Sequence, residues 1–317
     1  MLTRKLGRSG ITVSALGLGC WAIGGPFWRG DQPVGWGEVD DTQSLAALAR
    51  AVELGVTFFD TSDVYGCGHS ERLLGQALQG KRDQVILATK FGNIFDEQTR
   101  KITGASGEPD FIRRACEASL RRLHTDYIDL YQFHIGDYDI AKAGAVLETL
   151  EQLVTEGKIR TYGWSTDDPE RAAFFARGDH CSAIQQRFNL FEGNTAVLEL
   201  CETHNLASIN RGPLAMGLLT GKFSHDSTLP ANDVRHGWDL QQGEQANRIG
   251  RLDELRATLT SDGRSLAQAA LGWLWARSSV TVPIPGFKTI AQVEENVGAL
   301  AYGPLSSEQM VALEREM

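Results

Sequence analysis

The chain has 317 residues, 42% of them hydrophobic and 22% charged, with a formal net charge of -9. That length suits two ordinary domains or one α/β barrel, which typically takes about 250 residues plus insertions. The acidic balance argues against a nucleic-acid partner, which would need clustered Lys and Arg, and the absence of any apolar run near the roughly 20 residues that cross a bilayer argues against membrane insertion.

From the N-terminus, MLTRKLGRSG carries positive charge without an apolar segment behind it, so no secretory signal is read and a cytoplasmic location is expected. Residues 4–6 and 11–13 flank the turn-rich GRSG and predict a hairpin plugging one end of a barrel. Strands are predicted at 15–19, 57–60, 85–90, 128–134, 159–165, 183–186, 207–211 and 281–285. Between them, residues 41–54 put Leu45, Leu48 and Val52 on one helical face, with Gln43 three residues after Asp40 as in a capping box. Pro109 opens a later helix at its tolerated first turn, and Val146, Leu150, Leu153 and Val154 form the apolar stripe of another. This alternation predicts parallel βα units closed into a (β/α)8 TIM barrel.

Three polar segments, 21–40, 93–108 and 224–250, are too long for simple connections and are expected at the C-terminal face of the barrel. The first carries Trp21, Phe27, Trp28 and Trp36, which either line an aromatic pocket or pack the loop onto the barrel. The cysteines, Cys20, Cys67, Cys116, Cys181 and Cys201, are odd in number and never spaced CxxC, which reads as reduced thiols. Cys67 and His69 in GCGHSE lack the further ligands of a metal centre, so no metal is expected and His69 reads as a loop residue beside a Ser70 helix cap. The run RRLHTD at residues 121–126 reads as a solvated helix end.

The chemistry concentrates in FFDTSDVYG, ILATKFG and LYQFHIGD, which end predicted strands on Asp60 (with Tyr65 just beyond), Lys90 and His134. Strand ends of a parallel barrel converge on one face, so these residues share one small site. A tyrosine with an ordinary pKa of about 10 is a weak donor, and a neighbouring cation favours its phenolate. Lys90 is placed to be that cation, Asp60 to hold the ammonium, and His134 to hydrogen-bond an incoming carbonyl oxygen.

FDTSDVYG, ATKFG and QFH, in this order and spacing, resemble the aldo-keto reductase superfamily. KLGRSGITVSALGLGCW, LRRLHTDYIDLYQFH, GKIRTYGWST, PLAMGLLTGKF and IPGFKTIAQVEEN extend the likeness over nearly the whole chain. The resemblance implies one barrel domain over residues 1–317 and an NADP-dependent oxidoreductase that reduces an aldehyde or ketone reversibly. In that reading Tyr65 is the proton donor, assisted by Lys90, Asp60 and His134, and the partner is a small carbonyl or alcohol.

The glycine patterns GLGCWAIGG and GLLTGKF fit neither a Rossmann fingerprint nor a phosphate loop. The resemblance instead implies a cofactor site on other residues. It places Gly19, Cys20, Trp21 and Asp60 against the dinucleotide, with Ser165, Thr166 and Gln185 on the nicotinamide carboxamide. Arg211 stands where relatives place an aromatic ring. Gly212, Pro213, Leu214, Gly217 and Lys222 match the diphosphate loop, and Gly286, Lys288, Gln292, Glu295 and Asn296 the adenosine end. Gln292 stands where NADP-preferring relatives often carry Arg, which shifts the 2'-phosphate contact to Lys288 and leaves NAD(H) open as an alternative to NADP(H). Two other functions stay open: a cofactor-sensing regulatory protein like the potassium-channel β subunits, which resemble the same superfamily and retain its tetrad, and a metal-dependent barrel hydrolase, in which strand-end Asp and His would be ligands.

Overall fold

The computed structural model describes residues 2–316. Its centre is a parallel sheet of β1 (Leu18–Gly19), β2 (Phe58–Asp60), β3 (Ile86–Phe91), β4 (Ile128–Phe133), β5 (Ile159–Ser165), β6 (Cys181–Asn189), β7 (Ala207–Arg211) and β8 (Thr281–Pro283), paired in that order. Gly17 N–H donates to Pro283 O and Gly19 N–H to Pro285 O, each at 3.0 Å, so β8 meets β1 and the barrel closes. Closure needs glycine at residue 19, because a Cβ there would sit 2.8 Å from Ile284 O.

Helices cover the outside: α1 (Asp41–Glu53), α2 (His69–Ala77), α3 (Pro109–Leu123), α4 (Ala143–Thr155), α5 (Pro169–Phe175), α6 (Thr195–Thr203), α7 (Gly243–Leu259), α8 (Leu266–Arg277), α9 (Ile290–Tyr302) and α10 (Ser307–Glu316). Asp40 caps α1 through Thr42 N and Gln43 N, but the Gln43 amide returns to the Asp40 carboxylate at 3.3 Å rather than to its backbone. A reciprocal capping box is found instead at α8, between Ser265 and Gln268. Pro109 opens α3 as expected, and Val146, Leu150 and Leu153 bury the stripe of α4.

Strand limits shift where the backbone finds other partners. Ala15 N–H bonds Leu2 O of the N-terminal hairpin, so β1 begins only at Leu18. β6 runs past residue 186 to Asn189, where Glu192–Gly193 folds back antiparallel on it. The hairpin pairs Thr3–Lys5 with Thr12–Ser14, leaving Leu6 and Ile11 in its turn. Those two and Val13 plug the barrel floor, buried with Phe58, Ala88, Leu130, Ala183, Ala207 and Val282.

The long segments at the other end are more ordered than their polarity suggests. Trp28–Arg29 and Gln32–Pro33 from the first pair with Asn93–Asp96 and Lys101–Ala105 from the second in a four-stranded sheet. The third is shorter than expected, because α7 begins at Gly243. Asp233 bridges Trp36, and Val234 N–H donates to Gly35 O at 2.8 Å, so the first and third segments are joined over the barrel mouth.

Arg122 departs from its reading as a solvated residue. Its Nε donates to Glu71 Oε2 at 2.7 Å, and Glu71 is 0% exposed, with its other oxygen accepting from Thr89 Oγ1 at 2.6 Å. Removing one partner of a buried pair strands the remaining charge, at a cost of about 3–5 kcal/mol. Arg122→Met is therefore expected to lose stability of that order in urea unfolding, while the neighbouring exposed Arg121→Met changes it by less than about 0.5 kcal/mol. Equal losses for the two would contradict the buried pairing.

Candidate active site

Asp60 ends β2, Lys90 sits near the end of β3, Gln132 lies in β4 with His134 just beyond, and Gln185 lies in β6. Their side chains meet inside the mouth of the barrel. Lys90 Nζ, 0% exposed, donates to Asp60 Oδ1 at 2.5 Å, Thr61 O at 2.8 Å and Tyr65 OH at 3.2 Å. All three donor positions of the ammonium are thereby used. The second Asp60 oxygen accepts from Gln132 Nε2 at 2.9 Å and Gln185 Nε2 at 2.8 Å.

Backbone pairing past the end of β2 fixes Tyr65. Thr61 N–H donates to Ala88 O and Asp63 N–H to Lys90 O, so the chain follows β3 before turning at Ser62 O, which accepts from Tyr65 N–H. Gly66 then has φ 60, and a Cβ there would lie 1.9 Å from Gly24 O. Only glycine permits that approach. The Tyr65 ring stacks on Trp21 at a centroid distance of 6.0 Å and meets the His134 ring edge-on at 6.0 Å. Trp36 closes against Trp21 at 5.2 Å, whereas Phe27 is buried beside Val64 and Cys67 and packs the loop down.

Burial opposes the charge on Lys90, but Asp60 and Tyr65 outweigh it and hold the ammonium above the ordinary lysine range. Tyr65 behaves differently from the sequence expectation. Burial raises its pKa, and Lys90, although it pulls downward, does not overcome that rise. The phenol therefore keeps its proton at neutral pH. His134 is part-exposed at the mouth, yet the surrounding protein, with Lys90, Arg211 and Arg29, holds its imidazole well below the ordinary range.

Around this centre, Cys20 N–H donates to Asp60 O at 2.8 Å. Ser165 and Thr166 are buried at the end of β5, and the Thr166 hydroxyl donates to Gly136 O at 2.9 Å. Arg211 is ion-paired with Asp167. After it, Gly212, Pro213, Leu214 and Gly217 form a turn in which Gly212 has φ 59 and Gly217 φ 98. Lys222 Nζ and the Arg235 guanidinium face the same Phe223 ring, at 5.0 and 5.4 Å. Lys288 Nζ reaches Trp36 O at 2.5 Å and Glu38 O at 3.2 Å, while its backbone N–H donates to Gln292 Oε1 at 2.7 Å. Asn296 Nδ2 donates to Gly286 O at 3.3 Å, and Glu295 accepts from Ser265 Oγ at 3.0 Å.

The chain is matched by the model of the Aldo/keto reductase family over residues 15–315. It belongs to that family. It is 32% identical over 319 residues to the uncharacterized oxidoreductase YqkF of Bacillus subtilis, covering 99% of this chain and 96% of that one. Among solved structures it resembles the glycerol dehydrogenase AKR11B4 of Gluconobacter oxydans, with 31% identity, a TM-score of 0.85 and coverage of 99% and 94%. It also resembles an aldo/keto reductase from Klebsiella pneumoniae in complex with NADP and acetate, with 30% identity, a TM-score of 0.72 and the same coverage.

Within this aldo/keto reductase, Gln132, Ser62, Asp167 and the Asp233–Arg235 pair stand in the site although their residue types drew no attention. Gln132 had a signal: it lies two residues before His134, on the same side of a strand. His69 is also placed differently, as the first residue of α2 with its Nε2 2.9 Å from Asp41 Oδ1, while Ser70 donates to Cys20 O instead of capping a helix. The depressed basicity of His134 gives a direct check. In histidine-selective NMR, with the resonance assigned through His134→Gln, its titration midpoint is expected well below 6.5; a midpoint near 6.5 would contradict the enclosure described.

Proposed function

We propose that this aldo/keto reductase reduces a small aldehyde or ketone to the alcohol, and reverses the reaction, with NADP(H) as hydride carrier and NAD(H) as an alternative. The observation that carries the reading is the Lys90 ammonium held between Asp60 and the Tyr65 hydroxyl, with His134 across the Tyr65 ring. The relative from Klebsiella pneumoniae, in complex with NADP and acetate, supports the choice of cofactor.

The residues fit such a dinucleotide. Burial, then the neighbouring charges of Arg235 and Lys288, lower the basicity of Lys222, and burial with Arg235 lowers that of Lys288, while Asp233 acts as counter-charge to both. A diphosphate relieves that crowding. The backbone at Gly212 is open, since an added Cβ would meet no described atom within 4 Å. In the proposed arrangement Gly212, Pro213, Leu214, Gly217 and Lys222 hold the diphosphate, and Lys288 with Gln292 takes the 2'-phosphate. Glu295, Asn296 and Gly286 lie at the adenosine. Ser165, Thr166, Gln185 and Arg211 hold the nicotinamide end near Gly19, Cys20 and Trp21.

The dinucleotide, when bound, supplies the hydride that adds to the carbonyl carbon. The chain manages the oxygen. His134 hydrogen-bonds the carbonyl oxygen and orients it, and Tyr65 OH delivers its proton there as negative charge develops. Lys90 balances the phenolate that remains. Asp60 keeps the ammonium in line, with Gln132 and Gln185 holding the carboxylate in turn. The same steps run backwards for an alcohol, the phenolate accepting the proton.

Removing the Tyr65 hydroxyl deletes the proton donor but leaves the ring packed on Trp21. Tyr65→Phe is expected to lower kcat for NADPH-dependent reduction of a small aldehyde by about 100-fold or more, with NADPH affinity by fluorescence titration almost unchanged. Near-normal turnover in this variant would sink the role assigned to Tyr65.

A further inference from the structure

Between Asp60 and Tyr65, beyond Thr61, lie Ser62 and Asp63, two buried polar residues whose side chains the reaction above leaves unused. Ser62 is 0% exposed and Asp63 2%. Ser62 Oγ is 3.2 Å from His134 Nδ1, 3.2 Å from Asp63 Oδ1 and 3.4 Å from Val64 N. A hydroxyl has one hydrogen to give and two lone pairs with which to accept. Val64 N–H takes one lone pair. Whether the single hydrogen goes to the imidazole or to the carboxyl decides which nitrogen of His134 carries a proton.

Asp63 faces Glu71 from α2, which is fully buried, and Arg122 from α3, whose Nε is already committed to Glu71. Burial, then the charge of Glu71, push the Asp63 carboxyl well up; Arg122, the Ser62 hydroxyl and the Val64 backbone oppose the rise without reversing it. An ionised Asp63 would accept the Ser62 hydrogen across this 3.2 Å contact, whereas a carboxyl that retains its proton can donate to the remaining lone pair of Ser62. The Ser62 hydrogen then points to His134 Nδ1. His134 faces positive groups from three elements, Lys90 on β3, Arg211 on β7 and Arg29 on the first loop, which add to burial in keeping the ring neutral. A neutral ring that accepts at Nδ1 carries its hydrogen on Nε2.

We propose that Ser62 is a positioning residue for carbonyl reduction: the chain from Asp63 through Ser62 to His134 fixes the Nε2–H tautomer, so the ring offers the substrate oxygen a donor. The inference rests on the reading that His134 orients that oxygen. With the chain reversed, the neutral ring would offer Nε2 as an acceptor, which suits no carbonyl.

Nitrogen NMR of the full chain labelled with 15N-histidine tests this without any turnover. Wild-type His134 is expected as the neutral Nε2–H form. Ser62→Ala is expected to mix or invert the tautomers and to lower kcat for reduction about 10-fold, the scale of one hydrogen bond, with KM for NADPH unchanged. Ser62→Thr restores both. Asp63→Asn still donates through its amide and cannot ionise, so it keeps the wild-type tautomer. An Nδ1–H form in the wild type, an unchanged tautomer in Ser62→Ala, or an inverted one in Asp63→Asn would each overturn the proposal. Absence of reductase activity alongside the expected tautomers would instead count against the carbonyl-reduction reading itself.

Discussion

A single buried ammonium organises the mouth of this barrel. Lys90 is removed from water and spends its hydrogens on a carboxylate, a main-chain carbonyl and a phenol. An unpaired charge at that depth would be severely destabilising, and even a paired one gains little over apolar packing. Its presence constrains everything around it. Asp60 must lie at the end of β2, and its second oxygen must be met by Gln132 and Gln185 from β4 and β6. Four strands are thus tied to one carboxylate–ammonium pair.

The rest of the architecture serves that constraint. The N-terminal hairpin seals the floor with Leu6, Ile11 and Val13, so the barrel opens toward the loops at the other end. There the first and second long loops share a small sheet, and the first and third meet at Trp36 and Asp233. Arg235 lies over the Trp36 ring at 4.4 Å while pairing with Asp233, and Lys288 holds the Trp36 carbonyl. The cationic rim and the aromatic wall beside Tyr65 are therefore one connected assembly. A group that binds the rim acts on loops that also frame the proposed reaction centre around Tyr65.

Much of this was legible in the sequence, for identifiable reasons. Alternating strand and helix signals locate all eight barrel strands, and strand-end position brings Asp60, Lys90 and His134 together. Gln132 was hidden because an amide in a strand looks like any polar residue until the carboxylate it serves is in view. The loop sheet was hidden because its strands come from separate segments, with pairings not written in either one. Arg122 reads as solvated in a run of charges, and only tertiary contact shows the buried Glu71 beneath it. The Tyr65 phenol illustrates the same limit electrostatically. Its cationic neighbour can be inferred from motif spacing, but the larger effect of burial comes from the folded surroundings.

This pair and its phenol are proposed to serve hydride addition to a carbonyl carbon. The most direct measurement of that role is the fate of the hydride: NADPH carrying deuterium at both C4 positions, a small aldehyde, and mass spectrometry of the product. One deuterium on the carbinol carbon of the alcohol is the expected result. Alcohol formed without that label, or no alcohol from any of a broad panel of aldehydes and ketones, would contradict it.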